Sequence, residues 1–430
     1  MSPSLHADLL ARHRKVIPSW VALYYENPIS IVRGEGRHVW DAEGNRYLDL
    51  FGGILTTMVG HAVPEVVEAI KEQAAKMLHT STLYLIEPMI ELAEKIAELS
   101  EIPDARVFFA NSGSEANDAA LLLATSYRGS NQVLSLRGSY HGGSFSTMPI
   151  TNIAAWKSSA LSPFQVSFVH GGYRLRSPFG HLPDDEYIGA CVADLRDVLS
   201  MVGSNVAAMI AEPIQGVGGF ISPPDGFFGA FKEVLDESGV LFISDEVQTG
   251  WGRTGEHFWG YQAHGFVPDM LTFAKGVGNG LAMGGVVARA NVMNSVKGNH
   301  ISTFGGNPLA SAGALATLQY LLDHDLQTNA VKVGNLILNR LHDISNETPM
   351  IAEVRGKGLM AGVELVKPGT LEPDAAAASA VLEAARQRGL LIGKGGLSGN
   401  VLRLAPPMSL TEDEANEAMD ALAAVFEAMR

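Results

Sequence analysis

Val240-Leu241-Phe242-Ile243-Ser244-Asp245-Glu246-Val247-Gln248 is an apolar run closed by two carboxylates. Ala207-Ala208-Met209-Ile210-Ala211-Glu212-Pro213 has the same form, and residues 228–238 between the two runs carry helical periodicity. A strand that is apolar on both pleated faces is buried on both, which is the habit of parallel sheets covered by helices. Strand, helix, strand in that order implies an α/β fold around a parallel sheet. Ligands of such sheets bind beyond the carboxyl ends of the strands, so Glu212 and Asp245 stand where a site is built.

A third run, Met270-Leu271-Thr272-Phe273-Ala274, ends in Lys275-Gly276-Val277-Gly278-Asn279-Gly280. A lysine at a buried strand end is pushed toward its neutral form. A neutral amine on a rigid strand can attack a carbonyl and hold it covalently. The glycines beyond it allow a flat or phosphorylated ligand close to the backbone. Taken alone, the stretch also fits a surface lysine in a turn.

Upstream, the strand Val107-Phe108-Phe109-Ala110 leads through Asn111-Ser112-Gly113-Ser114-Glu115-Ala116-Asn117-Asp118 into an Ala/Leu-rich helix. Strand, small polar loop and helix present N–H groups and a positive dipole end to an anion. Ser112 and Ser114 add hydroxyls, although a plain N-cap uses the same residues. Val133-Leu134-Ser135-Leu136 ends in Arg137-Gly138-Ser139-Tyr140-His141-Gly142-Gly143, where an aromatic could stack on a planar ligand or simply pack in the loop.

The remaining chain reads as follows. Residues 1–25 make an amphipathic start whose Trp20, Tyr24 and Tyr25 suit packing. Ile29–Arg33, His38–Asp41 and Tyr47–Leu50 form a small β meander, with turns at Gly34-Glu35-Gly36 and 41–45. Helices are expected over 64–78 and 87–99. Residues 151–188, rich in Gly, Pro and Ser, read as a long excursion, a lid or a surface loop. Met283–Ala288 is a further strand, and Ser302–Pro308 is a second glycine-rich loop before a helix over 308–323. Beyond it come a helix over 327–345, two strands within 352–365, a helix over 375–388, strands at 390–392 and 401–404, and a closing helix from Thr411 capped with Glu414. The boundaries expected are 1–55 for an N-terminal segment packing with the small domain, 56–325 for a large domain and 326–430 for a smaller α+β domain.

The 430 residues are 47% hydrophobic, enough for a large core. A net charge of -15 without a basic stripe argues against nucleic acid and anionic membranes as partners. Cys191 is the single cysteine, so no intrachain disulfide can form, which fits a reducing compartment. No signal-peptide pattern opens the chain, and no run of roughly 18 apolar residues appears, so a cytoplasmic protein is expected. The 13 histidines lack ligand spacing, so no metal site is expected.

A reactive lysine, an anion-binding loop, an aromatic and a strand-end aspartate are the four parts that pyridoxal phosphate requires, with the aspartate keeping its ring nitrogen protonated. The competing dinucleotide reading needs a G-x-G-x-x-G between a strand and a helix, whereas the glycines after Lys275 lead into a strand. A noncatalytic scaffold would need neither a buried lysine nor strand-end acids.

Glu212-Pro213, Asp245 to Gly255, and Phe273-Ala274-Lys275-Gly276 resemble the signature of the class III aminotransferases, as do Asn111 to Asn117 and Tyr140-His141-Gly142. Within that family, Tyr25-Glu26-Asn27-Pro28, Phe51-Gly52-Gly53-Ile54 and Pro213 to Gly219 are most similar to the alanine–glyoxylate aminotransferase 2 branch. The resemblance implies the fold type I of pyridoxal-phosphate enzymes: a large domain with a mostly parallel seven-stranded sheet, a smaller α+β domain, and a homodimer with its site at the subunit interface. It implies Lys275 as Schiff-base lysine and general base, Asp245 as partner of the ring nitrogen, and His141 and Glu212 among the cofactor-binding residues. Gln248 would reach the ring hydroxyl, Ser112, Gly113 and Ser114 the phosphate, and Tyr140 and Val247 the two ring faces. Thr303 would reach the phosphate from the partner subunit. Arg403 would bind the substrate carboxylate, and Glu212 would pair with Arg403 when a substrate lacks one. Amino acids and oxo acids are the implied substrates. The same superfamily includes enzymes for 4-aminobutyrate and ornithine derivatives, and also decarboxylases, racemases and phospholyases. Residues near Trp20, Tyr24, Met58 and Leu83–Leu85 are expected to line the pocket.

Overall fold

The computed structural model describes residues 5–159, 161–203 and 205–429. The expected meander forms as β1 (Ile31–Glu35), β2 (His38–Asp41) and β3 (Arg46–Asp49). Gly34 and Glu35 continue β1 rather than turn, and the bend falls at Gly36, whose φ of +57° suits glycine.

The central sheet has seven strands, as the resemblance implied. They are β4 (Ala105–Ala110), β5 (Gln132–Leu136), β6 (Gln165–Val169), β7 (Val206–Ala211), β8 (Leu241–Asp245), β9 (Met270–Ala274) and β10 (Gly284–Arg289). Their order is β4-β10-β9-β8-β7-β5-β6. Only β10 runs against its neighbours β4 and β9. The apolar runs are buried on both faces, and alternate residues enter different cores. In β7, Met209 and Ala211 join Phe227, Phe228 and Phe231 of the helix Phe227–Glu237, while Ala208 and Ile210 join Ala120, Leu121 and Ala124 of the helix Gly113–Arg128. That alternation is the period of two along a pleated strand. It fixes which residues reach the carboxyl edge where the cavity lies.

β6 corrects the reading of 151–188 as an excursion. Gln165–Val169 is an edge strand, parallel to β5, and a helix already begins at Asp184. Its outward positions stay partly open, so the run is short and mixed and gave no buried-strand pattern. The stretch beyond it docks through Tyr173 and Arg176 onto Glu364, which is fully buried.

β11 (Ile351–Lys357) and β12 (Met360–Leu365) form the expected pair. The segment 390–395 splits differently from expectation. β13 (Leu390–Leu391) pairs with β3 in the N-terminal sheet, while β14 (Gly393–Gly395) and β15 (Val401–Leu404) extend the sheet of β11 and β12. The chain thus crosses between two sheets at Ile392. The closing helix Glu412–Ala428 carries the predicted capping box between Thr411 and Glu414. One core runs from Leu48 and Leu50 through Leu271 and Phe273 to Leu422 and Phe426, joining all three regions. Trp20 departs from the packing expectation, since 81% of it is exposed. No described helix is long and apolar enough to cross a membrane.

Candidate active site

A cavity of about 380 Å³ opens at the carboxyl ends of β7, β8 and β9. Ser112, Gly113, Ser114, Tyr140, His141, Glu212, Asp245, Val247, Gln248 and Lys275 all line it. The strand-end acids, the helix start and the lysine therefore converge, although they are far apart in sequence.

Lys275 follows β9 directly and sits at φ +50°, in the left-handed region that a side chain enters at a cost of about 1 kcal/mol. Met58 holds the turn in place: a Cβ on Gly276 would lie 2.8 Å from the Met58 sulfur. Burial, aided by Arg403 and opposed by Asp245 and Glu212, lowers the Lys275 ammonium from its ordinary 10.5 to about 8. Enough neutral amine is present near neutral pH to act as a nucleophile.

Of the two acids that close β8, Asp245 faces the cavity and Glu246 turns away. Glu246 is fully buried, accepting from the Ser244 and Thr249 hydroxyls and from the N–H groups of Gly260 and Tyr261. Asp245 Oδ2 accepts from Asn117 Nδ2 at 2.8 Å and faces His141 Nδ1 at 2.7 Å, while Oδ1 accepts the Val247 N–H at 3.2 Å.

At the other end of the cavity the helix Gly113–Arg128 points its first turn inward. Ser112 is its N-cap, accepting the Glu115 N–H, so the plain cap accounts for that hydroxyl even though the residue lines the cavity. The Ser114 hydroxyl oxygen accepts the Gly143 N–H and keeps its own hydrogen for an anion. A Cβ at Gly113 would meet Val247 at 3.0 Å, and one at Gly142 would meet the Ser114 hydroxyl at 2.4 Å. Both glycines hold the cradle open. The N–H groups and hydroxyl for a phosphate, the amine for an aldehyde and the carboxylate for a ring nitrogen share one cavity, so these residues fit pyridoxal phosphate.

At the substrate end Arg403 and Glu212 each have other partners. Arg403 is buried between Phe220 and Phe51, its guanidinium carbon 4.6 Å from the first ring centre and 5.8 Å from the second. It donates from Nη2 to Gln248 Oε1 at 2.9 Å, and its Nε has no partner among the described residues. Glu212 is not bonded to it. Both Glu212 oxygens instead accept backbone N–H groups, from Tyr140 at 2.9 Å and Gly216 at 2.8 Å. Burial raises the Glu212 carboxyl, the His141 charge opposes that rise, and Asp245 adds to it. Gln248 forms the cavity wall here, with Arg403 behind it. With Oε1 accepting from Arg403, the Gln248 NH2 is left free of that bond as a donor.

Thr303, expected to act on the partner copy, is exposed and lies outside this chain's cavity. Other named residues also lie outside it. Met58 is core, and Leu83, Tyr84 and Leu85 are exposed. Trp20 stands open too, while Tyr24 lies edge-on to Phe51 and donates its hydroxyl to the Lys394 carbonyl. Asn117, Thr56 and the stretch Leu281–Met283 line the cavity without having been singled out. Asn117 had a legible signal: it stands four residues after Gly113, on the same helix face.

The family model for aminotransferase class-III matches residues 22–426. The chain belongs to the class III aminotransferases. Human mitochondrial alanine–glyoxylate aminotransferase 2 is 36% identical, over 96% of this chain and 84% of that protein. The acetylornithine aminotransferase of Methanothermobacter thermautotrophicus is 36% identical, over 97% of this chain and 98% of that one. Among solved structures, an (S)-enantioselective omega-transaminase from Thermomicrobium roseum superposes with a TM-score of 0.91 at 33% identity, covering 98% of each chain. This class III aminotransferase has the fold type I of its pyridoxal-phosphate-dependent family.

Proposed function

We propose that this aminotransferase moves an amino group from alanine, a β-amino acid or another ω-amino donor to a 2-oxo acid such as pyruvate or glyoxylate, in two half-reactions through Lys275. The observation that carries the reading is Lys275 itself, partly buried at a strand end, with its amine lowered to about 8 and Asp245 on the same cavity wall. Pyridoxal phosphate supplies an aldehyde for that amine and an electron sink for the substrate α-carbon. In this reading Lys275 moves the proton at the α-carbon as general base. Asp245 holds the ring N–H, and Gly113 and Ser114 hold the phosphate from the helix start. Tyr140 and Val247 enclose the ring, and the Gln248 NH2 reaches its hydroxyl. Arg403 takes the substrate carboxylate by a two-bond fork once Gln248 releases it. Glu212 is assigned to meet Arg403 when the substrate carries no such carboxylate.

The same proposal includes a homodimer. Its support is an exposed apolar surface, with Trp20 81% and Leu85 93% accessible and Phe304 beside Thr303. On this reading Thr303 completes the phosphate site of the partner copy. The division into 1–55, 56–325 and 326–430 is supported by the seven-stranded sheet, all of whose strands fall within 56–325, and by β13, which ties the N-terminal segment to the small domain. A cytoplasmic location completes the proposal.

An ornithine-type ω-aminotransferase is a second reading, favoured by the acetylornithine relative that aligns over 98% of its length. The test is a set of half-reactions. Purified holoenzyme is mixed separately with L-alanine, β-alanine, 3-aminoisobutyrate, 4-aminobutyrate, ornithine and a phosphorylated amino alcohol. Rapid conversion of the cofactor to its amine form by alanine or β-alanine supports the proposal, and fastest conversion by ornithine favours the second reading. Phosphate release from the amino alcohol alone overturns both in favour of a lyase.

A further inference from the structure

We propose that Asn117, oriented by Thr272, is a positioning residue that decides which oxygen of Asp245 meets the ring nitrogen of the cofactor. The inference rests on the cavity's binding pyridoxal phosphate and concerns residues with no assigned part in it.

Asn117 is 1% exposed. Its Nδ2 lies 2.8 Å from Asp245 Oδ2 and 2.8 Å from the His141 carbonyl oxygen. Both neighbours are acceptors, so this end of the amide must be the NH2, and both of its hydrogens are used. The other end, Oδ1, lies 2.7 Å from the Thr272 hydroxyl, which must therefore donate. Thr272 cannot drift. It stands opposite Asp245 across the β8–β9 ladder, and its carbonyl accepts the Glu246 N–H at 2.9 Å. The amide is thus locked by a donor on one side and two acceptors on the other.

The consequence falls on Asp245. Oδ2 receives N–H groups from Asn117 and His141, which fill its two lone pairs. Oδ1 receives only the Val247 N–H, at 3.2 Å, and retains one lone pair. A ring N–H can be accepted only on Oδ1. Turning the carboxylate plane out of this setting would break the bonds from both donors.

A purely structural asparagine would tie the helix to the sheet and affect any ligand equally. The two roles separate by comparing pyridoxal phosphate with its 1-deaza analogue, in which a C–H replaces the ring nitrogen while aldehyde and phosphate remain. Equilibrium affinities are read by tryptophan fluorescence on apoprotein, without turnover. Asn117→Leu is expected to weaken pyridoxal phosphate by about 10- to 100-fold, as for loss of a hydrogen bond to a charged group, and to change the deaza analogue less than about threefold. Thr272→Val, which leaves the amide in place but unoriented, is expected to act in the same direction by about two- to fivefold. It carries the same discrimination if Asn117→Leu does not fold. Equal losses for both ligands, or no loss, overturn the role of Asn117. Failure of the wild-type protein to bind either ligand overturns the cofactor assignment instead.

Discussion

At one end of the cavity Asp245 is held by Asn117, His141 and the Val247 N–H, all rooted in the large sheet or the helix packed on it. At the other end Arg403 is held by the single carbonyl oxygen of Gln248 and keeps an unpartnered Nε, on a strand of a different sheet. The first end is fixed by three donors before any ligand arrives and keeps one acceptor position open, whereas the second keeps donor capacity in reserve. A group that must meet the same ring in every turnover gains from pre-organisation. A group that must accept two different substrates in alternate half-reactions gains from a partner it can exchange. On the proposed reading, chemistry and specificity are thereby separated between the two ends.

That contrast can be broken most directly at Lys275. Lys275→Met should lower turnover by at least about 10⁴-fold, the upper range for a positioned general base, and steady-state rates with the preferred donor would show it. Turnover near the wild-type rate would remove Lys275 from the chemistry. Arg403→Ala should lower kcat/KM for pyruvate or glyoxylate by about 10²- to 10³-fold, as expected for a lost two-bond charged contact, while an amine donor without a carboxylate loses far less. Equal losses for charged and neutral partners would refute the carboxylate role.

A third measurement concerns the apoprotein. The Lys275 ammonium falls from 10.5 to about 8 on folding. Between those values the unfolded chain holds a proton that the folded chain lacks, so this contribution makes stability rise with pH. Below about 8 the full cost is present, about 3 kcal/mol. Apo Lys275→Met should therefore be more stable than the apo wild type at pH 7 by up to about 3 kcal/mol, with the gap narrowing toward pH 10.5. Urea titrations at pH 7 and pH 10 measure it, and a gap that widens with pH would contradict the burial argument. The smallest effect is expected at Gln248, which lines the cavity and bonds Arg403. Gln248→Leu should change kcat/KM for the oxo acid by about tenfold or less, the worth of one ordinary hydrogen bond, and acceptor kinetics would resolve it. A loss as large as that of Arg403→Ala would mean that Gln248, not Arg403, carries the contact.

The same contrast governs what could be read in the sequence. The strands that bear Asp245 and Lys275 were legible because burial on both faces leaves continuous apolar runs. The helix start at Ser112 was legible because capping and anion binding use the same small polar residues. β6 was missed because an edge strand keeps polar positions. Arg403 was legible only through family resemblance, since a buried cation on β15 has the same local sequence as a surface arginine. Its bond to Gln248 spans 155 residues, and no local pattern encodes such a pairing. Asn117 sat inside a quoted motif, yet its meaning depends on Thr272, which only the sheet register brings near.

The crossing of the chain at Ile392 has a further consequence, for folding rather than catalysis. β3, at Arg46–Asp49, pairs with β13, at Leu390–Leu391. Synthesis proceeds from the N-terminus at about 5–20 residues per second, so the meander emerges early and waits for its last strand until nearly the whole chain exists. Closing so long a loop slows folding and leaves the free edge of β3 exposed meanwhile. The nascent protein thus carries an unprotected strand through most of its own manufacture. Low temperature or a chaperone that shields that edge should raise the yield of native protein more than any change at the cavity.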